Sequence, residues 1–440
     1  MSDVLLYTLG VVLFALGVVA SIALHEVGHM WPAKKFGVKV TQYFVGFGRT
    51  LWSTRRGETE YGVKMFPLGG FVKLVGMLPP EKGADPTRIR QSNTGLFTQL
   101  ISDARAAEYE HVEPGDEDRL FYRKPWWQKL IVMSGGPLVN VVLAFLILGG
   151  VWMGFGVPGE PRPVVQDVSD CVISAAEAQA DPDRTCTASD PVAPARKAGL
   201  RQGDRIVSFN GERVGSWDEL TGLIRGNASG EASIGIVRDG ERMTLTTDTM
   251  VSTRPDLQTT GEFVEVGFLG VTPVQPTVYP GPGYVVSEMW NLTASTAEAV
   301  VHIPGKMVGV FQAAFGGEER EPDSPVSVVG ASRVAGELAT TERLDATDKI
   351  ASVLGLLGIV NLFVALFNFI PLLPLDGGHI AGALWEAVRR GFAKLTGRPD
   401  PGYVDVAKLL PVAYVMAGLL LAMGVLLIYA DFVNPINLPL

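Results

Sequence analysis

The chain has 440 residues, 47% of them hydrophobic and 19% charged, with a mean hydropathy of +0.24. That is too apolar for a typical soluble enzyme and too charged for a bundle of membrane helices alone, so it predicts a membrane protein with soluble parts. The net charge of −9 leaves no basic footprint and argues against a nucleic-acid partner.

The first predicted element is a membrane span. No charged residue occurs from Val4 to Leu24, and the run closes on His25-Glu26-Val27-Gly28-His29. Residues four apart share a helical face, so both imidazoles can bind one Zn²⁺ while Glu26 polarises the metal-bound water. Ordinary polar residues at a helix end are the competing reading, but ionisable groups in an apolar helix carry a cost of roughly 2.5–3.5 kcal/mol near the bilayer centre. The run is too long for a signal-peptide core, lacks a basic flank and ends in the motif rather than a cleavage site.

Between the first and second spans, Glu58–Met65 alternates and is followed by Phe66–Val75, together a strand–turn–strand pattern that reads as a β-hairpin carrying Gly69, Gly70 and Phe71. A surface hairpin with a sticky face is the plainer alternative. Residues 79–118 are polar and rich in Pro and Gly, and predict a partly disordered insertion in which His111 is a solvated surface residue.

The second span is Leu130–Val157. Beyond it, residues 198–211 read as turn, strand, turn, followed by a helix near Ser216–Arg225 and strands Ala232–Arg238 and Arg242–Thr247 joined at Asp239-Gly240-Glu241. The string Ala198-Gly199-Leu200-Arg201-Gln202-Gly203-Asp204 resembles that of a PDZ domain, whose grooves bind extended peptides by strand addition. A partner peptide, a steric gate over the active site, or both fit this domain. Cys171 and Cys186, the only cysteines, fall within it; outside the cytoplasm such a pair favours a disulfide over two free thiols, worth on the order of 3 kcal/mol for a loop of this length.

Residues 290–316 mix apolar and small positions, and Met307, Val308, Val310, Phe311 and Phe315 suit one face of an interfacial or packing helix. His302 there is a packed or interfacial residue rather than a ligand, and residues 316–325 read as a hinge. The third span, Ile350–Leu375, runs into Asn368, Pro371, Pro374 and Asp376-Gly377-Gly378-His379. Helix-breaking residues at membrane depth require freed backbone to face protein or a water-filled cavity. Asp376 with His25 and His29 makes a two-His, one-carboxylate set, which leaves the fourth tetrahedral position for water, as in catalytic zinc sites. The fourth span is Leu409–Ala430.

Loop charge sets the orientation. Lys34, Lys35, Lys39, Arg123, Lys124 and Lys129 flank the first loop, and Arg389, Arg390, Lys394 and Lys408 lie in the third. These loops are expected in the cytoplasm, with both termini and the PDZ domain extracytoplasmic, the protein multi-pass in the cell membrane and its active site toward the cytoplasmic side.

The chain resembles the site-2 protease family of intramembrane zinc proteases, bacterial type with an extracytoplasmic PDZ domain. The matching residues are 25–29, Phe47-Gly48, Pro67–Val72, Gly136-Pro137-Leu138-Val139-Asn140 and the string from Asn368 through Pro371 to Leu375-Asp376-Gly377. The resemblance implies one zinc per chain on His25, His29 and Asp376, Glu26 as general base, and Asn368 holding the substrate backbone. A loop like Gly69, Gly70 and Phe71 would contact substrate. His379 would orient a ligand or the substrate, or hydrogen-bond a loop.

The expected fold class is a polytopic α-helical membrane protein with four transmembrane helices, a cytoplasmic membrane-associated β-hairpin and an extracytoplasmic α+β PDZ domain. Its expected divisions are 1–30 (first helix), 31–127 (cytoplasmic loop), 128–157 (second helix), 158–275 (PDZ), 276–349 (linker and interfacial helix), 350–376 (third helix), 377–408 (cytoplasmic loop) and 409–440 (fourth helix and tail). The expected activity is intramembrane cleavage of single-pass proteins in the bilayer, with anti-sigma factors the class the resemblance suggests. A PDZ scaffold without enzymatic activity and a metal transporter are the alternatives.

Overall fold

The computed structural model describes residues 3–80, 101–106, 112–175, 177, 184–228, 230–256, 263–317, 320–321 and 323–436. Much of the polar insertion, with His111, lies outside the described residues. The chain divides into two compact units, one of residues 1–155 and 280–438, the other of 156–279.

The first unit opens with helix α1 (Asp3–Lys35), which continues past the uncharged run because nothing in 25–31 breaks it. It ends after Pro32, where the backbone reverses at Gly37 with φ +70°. Two long strands follow, β1 (Val40–Arg56) and β2 (Thr59–Leu74). Both bend, and the pairing is richer than a hairpin. Residues 42–45 of β1 lie between 60–63 and 70–73 of β2, while 60–63 also pairs with 52–55. This corrects the expectation that Phe66–Val75 closes a hairpin on residues 58–65: those two segments flank the same stretch of β1 rather than pairing with each other. Positive φ at Gly46, Gly48 and Gly69 permits the bends. Tyr43 donates from its hydroxyl to the Ala23 carbonyl at 2.8 Å, which ties the sheet to α1.

Helix α2 (Trp126–Gly154) is the second long apolar element. After the second unit, helices α5 (Pro282–Phe315), α6 (Val328–Thr340), α7 (Ala346–Asn368), α8 (Asp376–Leu395) and α9 (Leu410–Val433) complete the first. Among the described residues, four segments are long and apolar enough to cross a membrane: α1, α2, α7 and residues Val406–Val433, which include α9. The protein is a multi-pass membrane protein.

Two departures from expectation matter for the site. Helix α7 stops at Asn368, and Asp376 opens α8 instead of closing the span. Pro371 and Pro374 lack the N–H groups that would continue a helix, so residues 369–375 form successive tight turns. Gly377 and Gly378 lie in the first turn of α8, where a Cβ at Gly377 would collide with the Ile370 carbonyl and one at Gly378 would stand 2.6 Å from Leu373 N. Glycine here lets the turn fold back on the start of α8. The stretch 276–349 holds two helices, α5 and α6, rather than one helix and a linker. Val310 and Ala314 of α5 pack on Leu427 and Ala430 of α9, while Val308, Phe311 and Phe315 are exposed. His302 is exposed too, with Nδ1 donating to its own helix at Glu298 O.

Apolar clusters tie the helices together. Phe14 and Val18 of α1 meet Ala331 and Ala335 of α6, and Ala144 and Leu148 of α2 meet Met289 of α5 and Leu362 of α7. A third cluster joins Ala33, Val38, Val40, Leu74, Val132 and Met133, so the end of α1, the sheet and α2 share one core.

In the second unit, strands β3 (Val157–Pro158) and β11 (Thr277–Val278) pair where the chain enters and leaves. The main sheet takes β4 (Arg162–Val168), β5 (Arg205–Phe209), β6 (Glu212–Arg213), β7 (Gly230–Arg238), β8 (Glu241–Pro255), β9 (Phe263–Phe268) and β10 (Val271–Val274), in the order β10-β4-β5-β7-β8-β9 with β6 on β5. Helices α3 (Pro194–Ala198) and α4 (Trp217–Gly226) complete it, and Ser216 and Glu219 form a capping box on α4. Ile206, Phe209, Leu220, Ile234 and Ile236 are at most 1% exposed and form the core. Asp239 and Gly240, both at positive φ, turn β7 into β8. Cys171 and Cys186 are joined by a disulfide.

Candidate active site

His25 and His29 lie one turn apart on α1, and both are buried. Their orientation is set by α2. Asn140 Oδ1 accepts from Nδ1 of His25 at 3.0 Å, and the Val132 carbonyl accepts from Nδ1 of His29 at 2.8 Å. With each Nδ1 protonated, the neutral rings turn their Nε2 lone pairs inward, the tautomer a metal ligand needs. The helices approach closely enough for this because glycines face each other. A Cβ on Gly28 would be 2.9 Å from Gly136 N and in collision with Gly135 O. One on Gly136 would collide with Nε2 of His29 and sit 2.7 Å from Nε2 of His25.

The turns after α7 carry Asp376 to the same place. Its Oδ2 is 3.3 Å from Nε2 of both histidines, and the two Nε2 atoms are 3.2 Å apart. Three electron-pair donors converge within 4.8 Å, and Asp376 Oδ2, although buried, has no hydrogen-bond partner among the described residues. Such a triangle is repulsive until a cation sits inside it. Bonds of about 2.0–2.1 Å in a tetrahedron give ligand–ligand edges of about 3.3–3.4 Å, so the donor set fits one zinc ion.

These residues line a cavity of about 460 Å³. Glu26 faces it beneath the sheet: an added Cβ on Gly70 would lie 2.9 Å from Glu26 Cγ. Gly69, Gly70 and Phe71 line the same wall, with the Phe71 ring stacked on Phe44 and Phe47. Residues 70–74 form the outer strand of the sheet, paired only with β1 among the described residues. Asn368 lines the cavity and donates from Nδ2 to the Val364 carbonyl at 3.0 Å. His379 also lines it but makes no hydrogen bond to His25, His29 or Asp376.

Sequence reasoning gave no individual role to Val132, Gly136 or Asn140. Asn140 had a signal, as an amide inside an apolar run. Val132 had none, because it acts through its backbone.

A helical membrane unit with an HExxH face, a converging carboxylate and a cavity around them defines a membrane-embedded metalloprotease. The chain belongs to peptidase family M50, whose profile matches residues 13–405. It is 34% identical over 442 residues to zinc metalloprotease Rip1 of Mycobacterium tuberculosis, covering 99% of this chain and 100% of that protein. The Mycolicibacterium smegmatis Rip1 is 33% identical over 448 residues, with the same coverage. The regulator of sigma-W protease RasP of Bacillus subtilis is 24% identical over 422 residues, covering 83% of this chain and 87% of its own. The protein is thus a zinc metalloendopeptidase of regulated intramembrane proteolysis, and the scaffold and transporter alternatives are set aside.

Proposed function

We propose that His25, His29 and Asp376 hold one zinc ion per chain, that Glu26 is the general base, and that the cavity receives the unwound transmembrane segment of a single-pass protein. The observation that carries this is the unpartnered Asp376 Oδ2, 3.3 Å from two inward-facing Nε2 atoms. When bound, zinc supplies Lewis acidity that polarises a peptide carbonyl and makes water acidic enough to attack at neutral pH. The Glu26 carboxylate takes the proton of the attacking water and delivers it to the departing peptide nitrogen. Asn140 and the Val132 carbonyl keep the imidazoles in one tautomer throughout.

Opening a helix in lipid leaves amide groups unpaired, each at a cost of several kcal/mol. The outer strand at residues 70–74 offsets part of that cost by pairing with the substrate main chain, and Asn368 holds the substrate on the opposite wall. His379 lines the site without a settled bond and is assigned to substrate contact rather than to ligand support.

The loops at 31–127 and 377–408 face the cytoplasm, as their flanking Lys and Arg favour, and the termini face outside. Residues 156–279 form an extracytoplasmic PDZ-type domain, a reading supported by the core under α4 and by a disulfide that suits an oxidising compartment. There it screens substrates, by pairing an extended peptide or by excluding bulky ectodomains. Anti-sigma factors are the substrate class we favour, because the Bacillus subtilis relative is named for regulating sigma-W.

Glu26→Gln tests the reading. The amide is nearly isosteric but cannot accept the proton, so cleavage of a membrane substrate should fall by at least about 100-fold while zinc content stays at wild type. Turnover near wild type would mean that another group is the base.

A further inference from the structure

Asn361 stands on α7 two turns before Asn368, on the same helical face and about 10 Å nearer the middle of the span at about 1.5 Å per residue. It is 1% exposed and lines the active-site cavity. Its Nδ2 donates to the Leu357 carbonyl at 2.8 Å and to Ser21 Oγ at 3.1 Å. The carbonyl can only accept, and Ser21 Oγ already donates its proton to Gly17 O at 2.9 Å. The amide can therefore be turned only one way, with Nδ2 toward these two acceptors and Oδ1 away from them. That oxygen is buried and has no hydrogen-bond partner among the described residues.

Asn368, half-buried, repeats the donor half of this arrangement. Its Nδ2 bonds the carbonyl four residues back, and Oδ1 takes no hydrogen bond among the described residues. A buried acceptor left unpaired is costly and calls for an explanation. Asn361 Oδ1 is such an acceptor, and together with the half-buried Asn368 two turns further along the same cavity wall it matches a ligand with main-chain donors to place there.

We propose that Asn361 Oδ1 is a second main-chain acceptor for the substrate, taking an amide N–H released where the transmembrane segment passes from helix to open chain. The proposal rests on the reading of this cavity as the substrate site. A helix end leaves up to four N–H groups without partners, and hydrocarbon offers them none. Asn361 supplies an acceptor at that boundary, two turns from Asn368. Leu357 and Ser21 are positioning residues that fix the amide.

An amide-to-ester scan of a synthetic transmembrane substrate, cleaved by the full-length enzyme in liposomes, tests this without perturbing the protein fold. Each ester removes one backbone N–H across the two turns beyond the scissile bond. With wild-type enzyme, one position should lower kcat/KM about tenfold more than its neighbours, the loss of one buried hydrogen bond. With Asn361→Leu, kcat/KM on the all-amide substrate should fall about tenfold, zinc content should not change, and that ester position should lose its excess penalty. Ser21→Ala keeps Oδ1 and the Leu357 bond, so its loss should be the smaller. A flat ester profile, or a profile that Asn361→Leu leaves unaltered, would overturn the proposal and assign Oδ1 to a water. A Ser21→Ala loss equal to that of Asn361→Leu would overturn it too, leaving a bridge between helices. Failure of wild-type enzyme to cleave the all-amide substrate, or cleavage by Glu26→Gln, would instead overturn the underlying reading of the cavity.

Discussion

A Cβ on Gly136 would occupy the space between the two imidazoles, in collision with His29 Nε2 and 2.7 Å from His25 Nε2. The α2 backbone there is in turn held against Gly28 of α1, so neither helix can retreat without losing the Asn140 and Val132 bonds. Gly136→Ala should therefore lower zinc affinity by at least about 10–100-fold, comparable to loss of an outer-shell partner. Metal analysis after dialysis against a graded chelator checks it; full retention of zinc would show that the helices part easily. The convergence of His25, His29 and Asp376 was legible in the sequence, since HExxH is local and Asp376 lies at a helix break on the same membrane side. The groups that orient them were not, because Asn140 and Val132 act across helices from 115 and 103 residues away in sequence.

At the scale of elements, α8 carries Asp376 and α2 carries the groups that orient the histidines. Below the site they are joined by Lys129 and Glu386, 2.7 Å apart and 7% and 1% exposed, with Arg390 also on Glu386 at 3.0 Å. Removing one member of a buried pair strands the other. Lys129→Met should cost about 3–5 kcal/mol of stability, and the double variant Lys129→Met, Glu386→Met should recover most of it. Thermal unfolding in detergent measures both; equal losses in single and double variants would show that Arg390 alone satisfies Glu386. The spans were legible because uncharged runs of this length have few other uses. The sheet was half legible. Glu58–Met65 alternates, but β1 is interrupted by Gly46 and Gly48, whose positive φ bends the strand and hides its period. Helix α6 was missed because its buried face is made of Gly330, Ala331, Ser332, Ala335 and Gly336, residues too small to stand out as an apolar stripe.

At the scale of the molecule, the two units differ in what holds them. The membrane unit relies on small-residue contacts and a few buried polar bonds. The 156–279 unit has an apolar core and an ion pair of the buried Asp204 with Arg238 at 2.7 Å. Burial opposes ionisation of Asp204, but the Arg238 fork and the Arg201 N–H outweigh it and hold the carboxyl below its ordinary value. Because the folded state favours the ionised form, the stabilisation is complete above the unfolded value of about 3.9 and is lost as pH falls from there through the lower folded value. Arg238→Met should therefore cost about 3–5 kcal/mol at neutral pH, and the gap to wild type should narrow below about pH 4. Hydrogen-exchange protection of β5 and β7 in the full chain reports it; a gap independent of pH would mean that the arginine acts by packing alone.

The central claim is that one zinc ion joins α1 to the start of α8. X-ray absorption at the zinc edge, on purified full-length protein and on Asp376→Ala, tests it most directly. Wild type should hold one zinc per chain with two imidazole nitrogens and further oxygen ligands at about 2.0–2.2 Å, and Asp376→Ala should lose the metal or one oxygen ligand from its shell. A wild-type shell with sulfur or three imidazoles, or an Asp376→Ala shell identical to wild type, would contradict the account.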